Sequence, residues 1–177
     1  MLVEQRVSST ERLTFLQKLE VLDLEPIAFL LMHPEKGCGW TREQTVRALK
    51  QYVIFLFLMY VYPHNKIIPT QEIDAVWHSH LLDTAKYKED CQMLFGRFIN
   101  HFPYAGLMDE VDRNDWEVAF AETQVLFAEH FEFDGLVNWV SPSGCQPLKQ
   151  QKQLRPRVVN IKADVMATLP WSALQCG

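Results

Sequence analysis

The chain has 177 residues, of which 48% are apolar, and it carries a formal net charge of −5. This length fits one domain, which would bury about 70% of the surface that its unfolded chain exposes. Residues 1–133 hold 12 Lys and Arg against 20 Asp and Glu, whereas residues 134–177 hold 5 against 2. Because nucleic-acid binding needs a basic surface to displace counterions, the acidic main part argues against a nucleic-acid partner.

The sequence also argues against export and against a membrane span. Its first residues, Met-Leu-Val-Glu-Gln-Arg, lack the apolar segment of a secretory signal. The longest apolar run, residues 52–62, has 11 residues, whereas a bilayer-spanning helix needs about 20. We therefore expect a cytoplasmic protein with no membrane partner. Free thiols are expected in that compartment, since no two cysteines have C-x-x-C spacing. The four cysteines are Cys38, Cys91, Cys145 and Cys176.

The N-terminal part of the chain predicts three helices. Ser9 or Thr10 can cap the first helix, in which leucines recur at three-residue intervals. A short apolar helix over residues 26–32 begins with a proline, a residue that is favoured at the first helical position. Thr41 can cap the third helix, which runs to Tyr62 and is apolar on all sides in its second half. A helix of that kind is buried, so we predict that it is the central helix.

The next part of the chain predicts two or three more helices. Thr70 can cap a helix that either continues unbroken to Gly96 or breaks near Asp83 and restarts. Residues 103–113 are predicted to form a loop, and residues 114–131 a further amphipathic helix. No segment alternates at period two. The sequence therefore predicts an all-α, compact bundle of about five to six helices within residues 1–133.

The C-terminal residues 134–177 differ in character from this helical domain. They contain four prolines, and residues 149–162 hold five basic side chains and no acidic one. We interpret them as a basic, irregular tail. Because large apolar residues recur in 157–172, we expect part of that stretch to pack against the body or a second subunit. The tail is thus the predicted contact for a protein partner or a homo-oligomer.

Side chains able to bind metal or move protons are concentrated between residues 74 and 101. The pattern D-x-x-W-H-x-H begins at Asp74, Y-x-x-D-C begins at Tyr87, F-G follows at Phe95, and H-x-P begins at His101. This stretch of 28 residues holds three of the six histidines and one of the four cysteines. It therefore marks the place where a functional site would lie.

These motifs resemble the helical domain of the glycine-rich domain-containing protein-like family. The resemblance covers roughly residues 10–133, is sharpest over 69–103, and is to the short, stand-alone bacterial members of the cyanobacterial type. It implies a helical domain but no particular reaction, substrate or cofactor. The chain has only seven glycines and no glycine-rich tract, so the role of the plant members' appended segments does not carry over.

Helical geometry separates the motif residues into two groups. At 100° per residue, one face is predicted to point into the core. It carries Trp77, His80, Thr84, Tyr87 and Cys91. Asp74 and His78 stand at i and i+4 on the flank of that face, where they can share a hydrogen bond or a metal ion. In a regular helix His78 and His80 point about 200° apart, so one metal cannot bind both unless the helix breaks near Asp83.

Eight residues form the candidate ligand-binding set: Asp74, Trp77, His78, His80, Tyr87, Asp90, Cys91 and His101. Trp77 is interpreted as a core anchor, and His80 as a core histidine whose ring needs a buried partner. Four of the eight form the candidate metal set, for Zn or another first-row transition metal. They are Asp74, His78, Cys91 and His101. His33 and His64, in the loops that bracket the central helix, are further possible ligands.

No part of the sequence spells a known catalytic motif: H-E-x-x-H, G-x-S-x-G, the P-loop and G-x-G-x-x-G are all absent. We therefore interpret the chain as an intracellular helical binding domain with a transition-metal or small-ligand site on the W-H-x-H helix. Two alternatives stay open. One is a metal- or cysteine-dependent enzyme acting on a peptide or protein, and the other is an interaction scaffold whose histidines are structural.

Overall fold

The computed structural model of the chain describes residues 8–102, 105, 109–130 and 160–166. In these residues the chain forms helices and no strand. The helices are α1 (Ser9–Val21), α2 (Glu25–Met32), α3 (Arg42–Val61), α4 (Gln71–Leu82), α5 (Thr84–Phe95), α6 (Glu110–His130) and α7 (Ile161–Met166). The predicted all-α bundle is confirmed. No helix in the described part of the chain combines the length and apolar character that crossing a bilayer requires.

Side-chain caps set the starts of α1, α3 and α4. Thr41 and Thr70 cap α3 and α4 as predicted, each accepting a hydrogen bond from a backbone N–H of the first turn. The cap of α1 is Ser8, one residue before the predicted Ser9 or Thr10. Ser8 forms a reciprocal capping box with Glu11, which neither later residue has at the required spacing.

The motif helix breaks at Asp83, which decides between the two predicted alternatives. Helix α4 ends at Leu82 and α5 begins at Thr84, with Asp83 at φ −85° and ψ 71°. The carboxylate of Asp83 accepts a hydrogen bond from the backbone N–H of Lys86 and so caps α5. Helix α5 ends at Phe95 and is capped by Gly96, whose φ of 69° is the left-handed conformation that glycine adopts without strain.

Helix α3 is the centre of the bundle, as predicted. Every residue from Gln51 to Leu58 is buried, so this stretch is covered on all sides. Helices α1, α2, α4, α6 and α7 all pack against α3. The apolar run therefore forms the core helix on which the motif helix α4 rests.

Helix α6 begins earlier than the sequence pattern indicated. It starts at Glu110 instead of residue 114, which shortens the predicted loop 103–113. The unrecognised signal is Asp109, whose carboxylate accepts a hydrogen bond from the backbone N–H of Asp112 at 2.8 Å. An aspartate in that place satisfies a free N–H of the first helical turn.

The described part of the tail is helical and packed against the body. Ile161 and Val165 of α7 are 0% and 4% exposed, and α7 lies against α3 and α2. An ion pair between Arg42 and Asp164 adds a polar contact at this junction. The prediction that part of 157–172 packs on the body is confirmed for residues 161–166, and the prediction of irregular structure is wrong there. The remaining tail, with Cys145 and Cys176, lies outside the described residues.

Candidate functional site

The two histidines of the H-x-H pair lie in different environments. His80 is 1% exposed, whereas the side chain of His78 is 45% exposed. This agrees with the predicted rotation of about 200° between them on a helix. The break at Asp83 does not bring them together, because it follows both residues and leaves α4 regular where they lie.

His80 is held in the core by hydrogen bonds at both ring nitrogens. Its Nδ1 lies 3.0 Å from the hydroxyl of Tyr52, and its Nε2 lies 2.9 Å from a carboxylate oxygen of Asp90. The same oxygen accepts a hydrogen bond from Nζ of Lys86 at 2.7 Å. A neutral imidazole protonated at Nε2 donates a hydrogen bond to Asp90 and accepts one from the hydroxyl of Tyr52 at Nδ1. Both ring nitrogens of His80 therefore have a hydrogen-bond partner.

Burial and hydrogen bonding fix the charges in this network. Burial lowers the pKa of His80, although the hydrogen bond to Asp90 acts in the opposite direction. Burial would raise the pKa of Asp90, but hydrogen bonds from His80 and Lys86 outweigh it and hold that pKa below its usual value. Burial also raises the pKa of Tyr52 well above the ordinary range. The network therefore holds a neutral histidine, a carboxylate and a neutral phenol, and His80 is a core residue as predicted.

A second buried set ties α4 to the segment that follows α5. The indole N–H of Trp77 donates to the hydroxyl of Tyr87 at 2.9 Å, and that hydroxyl donates to the carbonyl oxygen of Ile99 at 2.7 Å. Trp77 is 7% exposed and packs against Phe55 with ring centroids 5.2 Å apart. It is thus the core anchor that the sequence predicted.

Cys91 also belongs to this buried set. It is 3% exposed, and burial raises the pKa of its thiol. A buried, protonated thiol is a poor nucleophile and a poor metal ligand. Cys91 is therefore placed in the core, apart from the three other residues of the predicted metal set.

Those three residues, Asp74, His78 and His101, lie together. Nε2 of His101 is 2.9 Å from Oδ1 of Asp74, and Nδ1 of His78 is 3.2 Å from Oδ2 of the same carboxylate. The two imidazole centroids are 4.5 Å apart. One donor atom from each residue lies within 4.8 Å of the donor atoms of the other two.

Two elements and one aromatic support position this cluster. Asp74 and His78 are one helical turn apart on α4. His101 comes from the segment that turns back after Gly96 and is secured by the Tyr87–Ile99 hydrogen bond. The ring of His101 packs edge-on against Trp77 at 4.6 Å. The buried aromatic layer thus fixes the side chain that completes the cluster.

The cluster lies at the edge of a cleft of about 730 Å³. Asp74 and His101 line this cleft, whose walls are the α3–α4 connector, residues 97–102 and the N-terminal part of α6. The side chains of His101, Asp74 and His78 are 13%, 35% and 45% exposed. The donor atoms are therefore accessible to a small ion or molecule.

The donor set matches a known type of metal site. Two imidazoles and one carboxylate hold zinc in one class of catalytic sites, which keep a fourth position open. Zinc bonds of about 2.0–2.1 Å in tetrahedral geometry place ligand atoms about 3.3 Å apart. The two histidine nitrogens lie 2.9 and 3.2 Å from different oxygens of Asp74, and one donor atom from each of the three residues lies within 4.8 Å of the other two. One ion would contact all three residues after side-chain rotations that bring their donor atoms to the spacing of zinc ligands.

The sequence motifs do not indicate two residues of the buried network, Tyr52 and Lys86. Tyr52 lies 28 positions before its partner His80, and no local pattern connects them. Lys86 and Asp90 stand at i and i+4, a spacing that indicates a helical ion pair.

The predicted further ligand His33 has a local role, since its Nδ1 accepts hydrogen bonds from the backbone N–H groups of Glu35 and Lys36. Within the described residues, neither His33 nor His64 joins the cluster.

Comparison with known proteins gives one family. The family model described as UCP032817-like matches residues 33–121, which is half of the chain and includes the whole of α3, α4 and α5. The chain belongs to the UCP032817-like family. All three cluster residues lie inside the region that this family model covers. No curated protein and no solved structure matches the chain. The resemblance to the glycine-rich domain-containing protein-like family stays a prediction from the motifs.

Proposed function

We propose that this UCP032817-like domain binds a divalent transition-metal ion, Zn²⁺ in the first place, through Asp74, His78 and His101. The observation that carries the proposal is the convergence of two imidazoles on one carboxylate at the edge of a cleft. Asp74 and His78 alone would be an ordinary pair on a helix surface. His101 comes from a different segment, 27 positions later than Asp74, and its placement adds the third ligand.

The two alternative functions differ in the support they receive. A cysteine-dependent enzyme has little, because the Cys91 thiol is buried and its pKa is raised. A metal-dependent enzyme is favoured over it, since three protein ligands beside a cleft leave a coordination position for water or substrate. A scaffold with structural histidines accounts for His80, and the hydrogen bonds of Asp74 to His101 and His78 fit it as well; the exposure of the cluster beside a cleft favours the metal site. The cytoplasmic location and a partner for the tail stay predictions.

Metal content of the protein purified without a His-tag tests the proposal. We expect one Zn²⁺ per chain by mass spectrometry, lost on chelation and restored by titration with Zn²⁺. His78→Ala and Asp74→Asn should each weaken binding by at least about tenfold while the helical circular-dichroism signal stays unchanged, because the first removes an imidazole ligand and the second removes the negative charge of the carboxylate ligand. His64→Ala is the matched control, since His64 is exposed and outside the cluster.

Two results would contradict the assignment. One is the absence of metal under supplementation with Zn²⁺, Co²⁺, Ni²⁺ and Mn²⁺. The other is binding that survives both Asp74→Asn and His78→Ala. A stability change of only about 0.5 kcal/mol in His78→Ala, with no effect on metal content, would reduce the pair to a helix-surface contact.

A further inference from the structure

The cleft beside the metal cluster has walls suited to an organic ligand. Its volume of about 730 Å³ lies in the range of small-molecule sites. Trp77 and Trp116 both line it, and Trp116 is stacked on Phe120 with ring centroids 5.7 Å apart and planes 2° from parallel. The Trp116 indole is therefore held in place by its own helix and offers the cleft an aromatic surface, whereas the core residue Trp77, 7% exposed, contributes little area.

The charges at the cleft indicate the sign of that ligand. Lys66 and Arg97 line it and are exposed. Their two positive charges balance the two negative charges of the carboxylates in the lining, Asp74 and Asp112. A bound divalent cation would then leave the cleft with a net positive charge of two, in a chain whose overall charge is −5. Such a local reversal of sign concentrates anions.

A metal held by three protein ligands also has a vacant coordination position. Asp74 and His101 line the cleft, and His78 is outside the lining. The vacant position is thus most accessible from the cleft, where Arg97 and Lys66 can contact the same ligand. Carboxylates bind zinc through oxygen and accept charge-assisted hydrogen bonds from guanidinium and ammonium groups.

We infer that the cleft binds a small organic carboxylate, with the carboxylate on the metal and the apolar body against Trp116. The inference rests on the proposed metal site. It adds the class of ligand, and it assigns Lys66 and Arg97 to anion binding and Trp116 to the body of the ligand.

The Co²⁺-loaded protein provides a direct test, with benzoate as the probe. We expect benzoate to shift the visible absorption of the bound Co²⁺ and to change tryptophan fluorescence in one saturable transition. Benzamide, which has the same ring but no charge, should bind at least about tenfold more weakly, because it lacks the charge-assisted contacts. Inorganic phosphate should also bind more weakly than benzoate, since it lacks a body that can pack against the Trp116 indole.

Variants of the cationic residues separate this inference from the metal proposal. Lys66→Gln with Arg97→Gln should weaken benzoate binding by about tenfold while the metal stoichiometry stays at one per chain. The matched control is Lys88→Gln with Arg113→Gln, two exposed residues outside the cleft lining, which should bind benzoate like the unmodified protein.

The possible failures are distinguishable. Normal metal uptake with benzoate no tighter than benzamide, or with unchanged binding in the Lys66 and Arg97 variant, overturns the ligand assignment alone. If phosphate binds as tightly as benzoate, the cleft binds anions in general, and the assignment of an organic ligand with an apolar body is wrong. Failure of the protein to take up Co²⁺ or Zn²⁺ overturns both this inference and the proposed function.

Discussion

The imidazole Nε2 of His80 lies 2.9 Å from a carboxylate oxygen of Asp90, ten positions later in the chain. In an unbroken α-helix ten residues correspond to a rise of about 15 Å, which excludes such a contact. The break at Asp83 is therefore what allows the pairing. The pair fastens α4 to α5 and removes His80 from any site shared with His78.

His80→Ala should destabilise the fold by about 1–3 kcal/mol, because it leaves a cavity and removes a partner from both Tyr52 and Asp90. His80→Leu should be less damaging than His80→Asp, which places a second carboxylate beside Asp90. Urea unfolding of the three variants measures these differences. His64→Ala is the control, because His64 is exposed. Equal stability of the Leu and Asp variants would contradict the described packing.

Asp90 should make stability depend on pH in the acid range. Its pKa is lowered in the folded state by hydrogen bonds from His80 and Lys86, which outweigh the effect of burial. The unfolded value is about 3.9, so the stabilisation is complete above that pH and is lost as pH falls through the lower, folded pKa. Acid unfolding of Asp90→Asn should accordingly show a flatter dependence on pH below about 4 than the unmodified chain.

The matched control for this prediction is Glu89→Gln. Glu89 is the exposed neighbour of Asp90 on α5, so its loss should leave the acid slope unchanged. If both variants show the slope of the unmodified chain, Asp90 does not contribute to acid sensitivity, and the ion pair with Lys86 is weaker than its 2.7 Å geometry indicates.

Tyr87→Phe should link core stability to metal binding. The change removes a hydroxyl that accepts from Trp77 and donates to Ile99, and it leaves both buried groups without that partner. The expected cost is about 1–3 kcal/mol in urea unfolding. Because the Tyr87–Ile99 hydrogen bond secures the segment that carries His101, Zn²⁺ affinity should fall as well. Calorimetric titration that gives an unchanged affinity would show that His101 is positioned independently of Tyr87.

Removal of residues 140–177 should expose an apolar patch on α3 and α2, because Ile161 and Val165 are buried against those helices. The helical body should stay folded while dye binding or self-association increases. Ile161→Ala isolates the packing contribution and should cost about 2 kcal/mol. Lys162→Gln serves as its control, since Lys162 is adjacent but not buried. A truncated chain that matches the full chain in mass, stability and dye binding would make α7 a passive extension.

Local features of the sequence were sufficient for much of the fold. Threonines at positions 41 and 70 predicted two helix starts, since capping depends on residues within one turn. The all-round apolar run predicted the central helix α3, because a helix without a polar face must be buried. Rotation of 100° per residue predicted that His78 and His80 would face different surroundings. Each of these inferences uses interactions inside one helix.

The partners of the motif residues depended on tertiary structure. The pairing of Asp90 with His80 needs the break at Asp83, and the turn at Gly96 brings the later segment back so that His101 reaches Asp74. Cys91 is a candidate metal ligand by the chemistry of its thiol, and the structure buries it on the predicted core face, apart from the other three candidates.

Sequence by itself thus determined the helical class, the central helix and the two faces of the motif helix, since those follow from periodicity and capping. Tertiary structure decided which ionisable groups meet, because contacts between residues 27 or 28 positions apart depend on how separate elements pack. Tertiary structure also forms the cleft, which lies between the α3–α4 connector, the segment after α5 and the start of α6. No local pattern encodes a space between three elements.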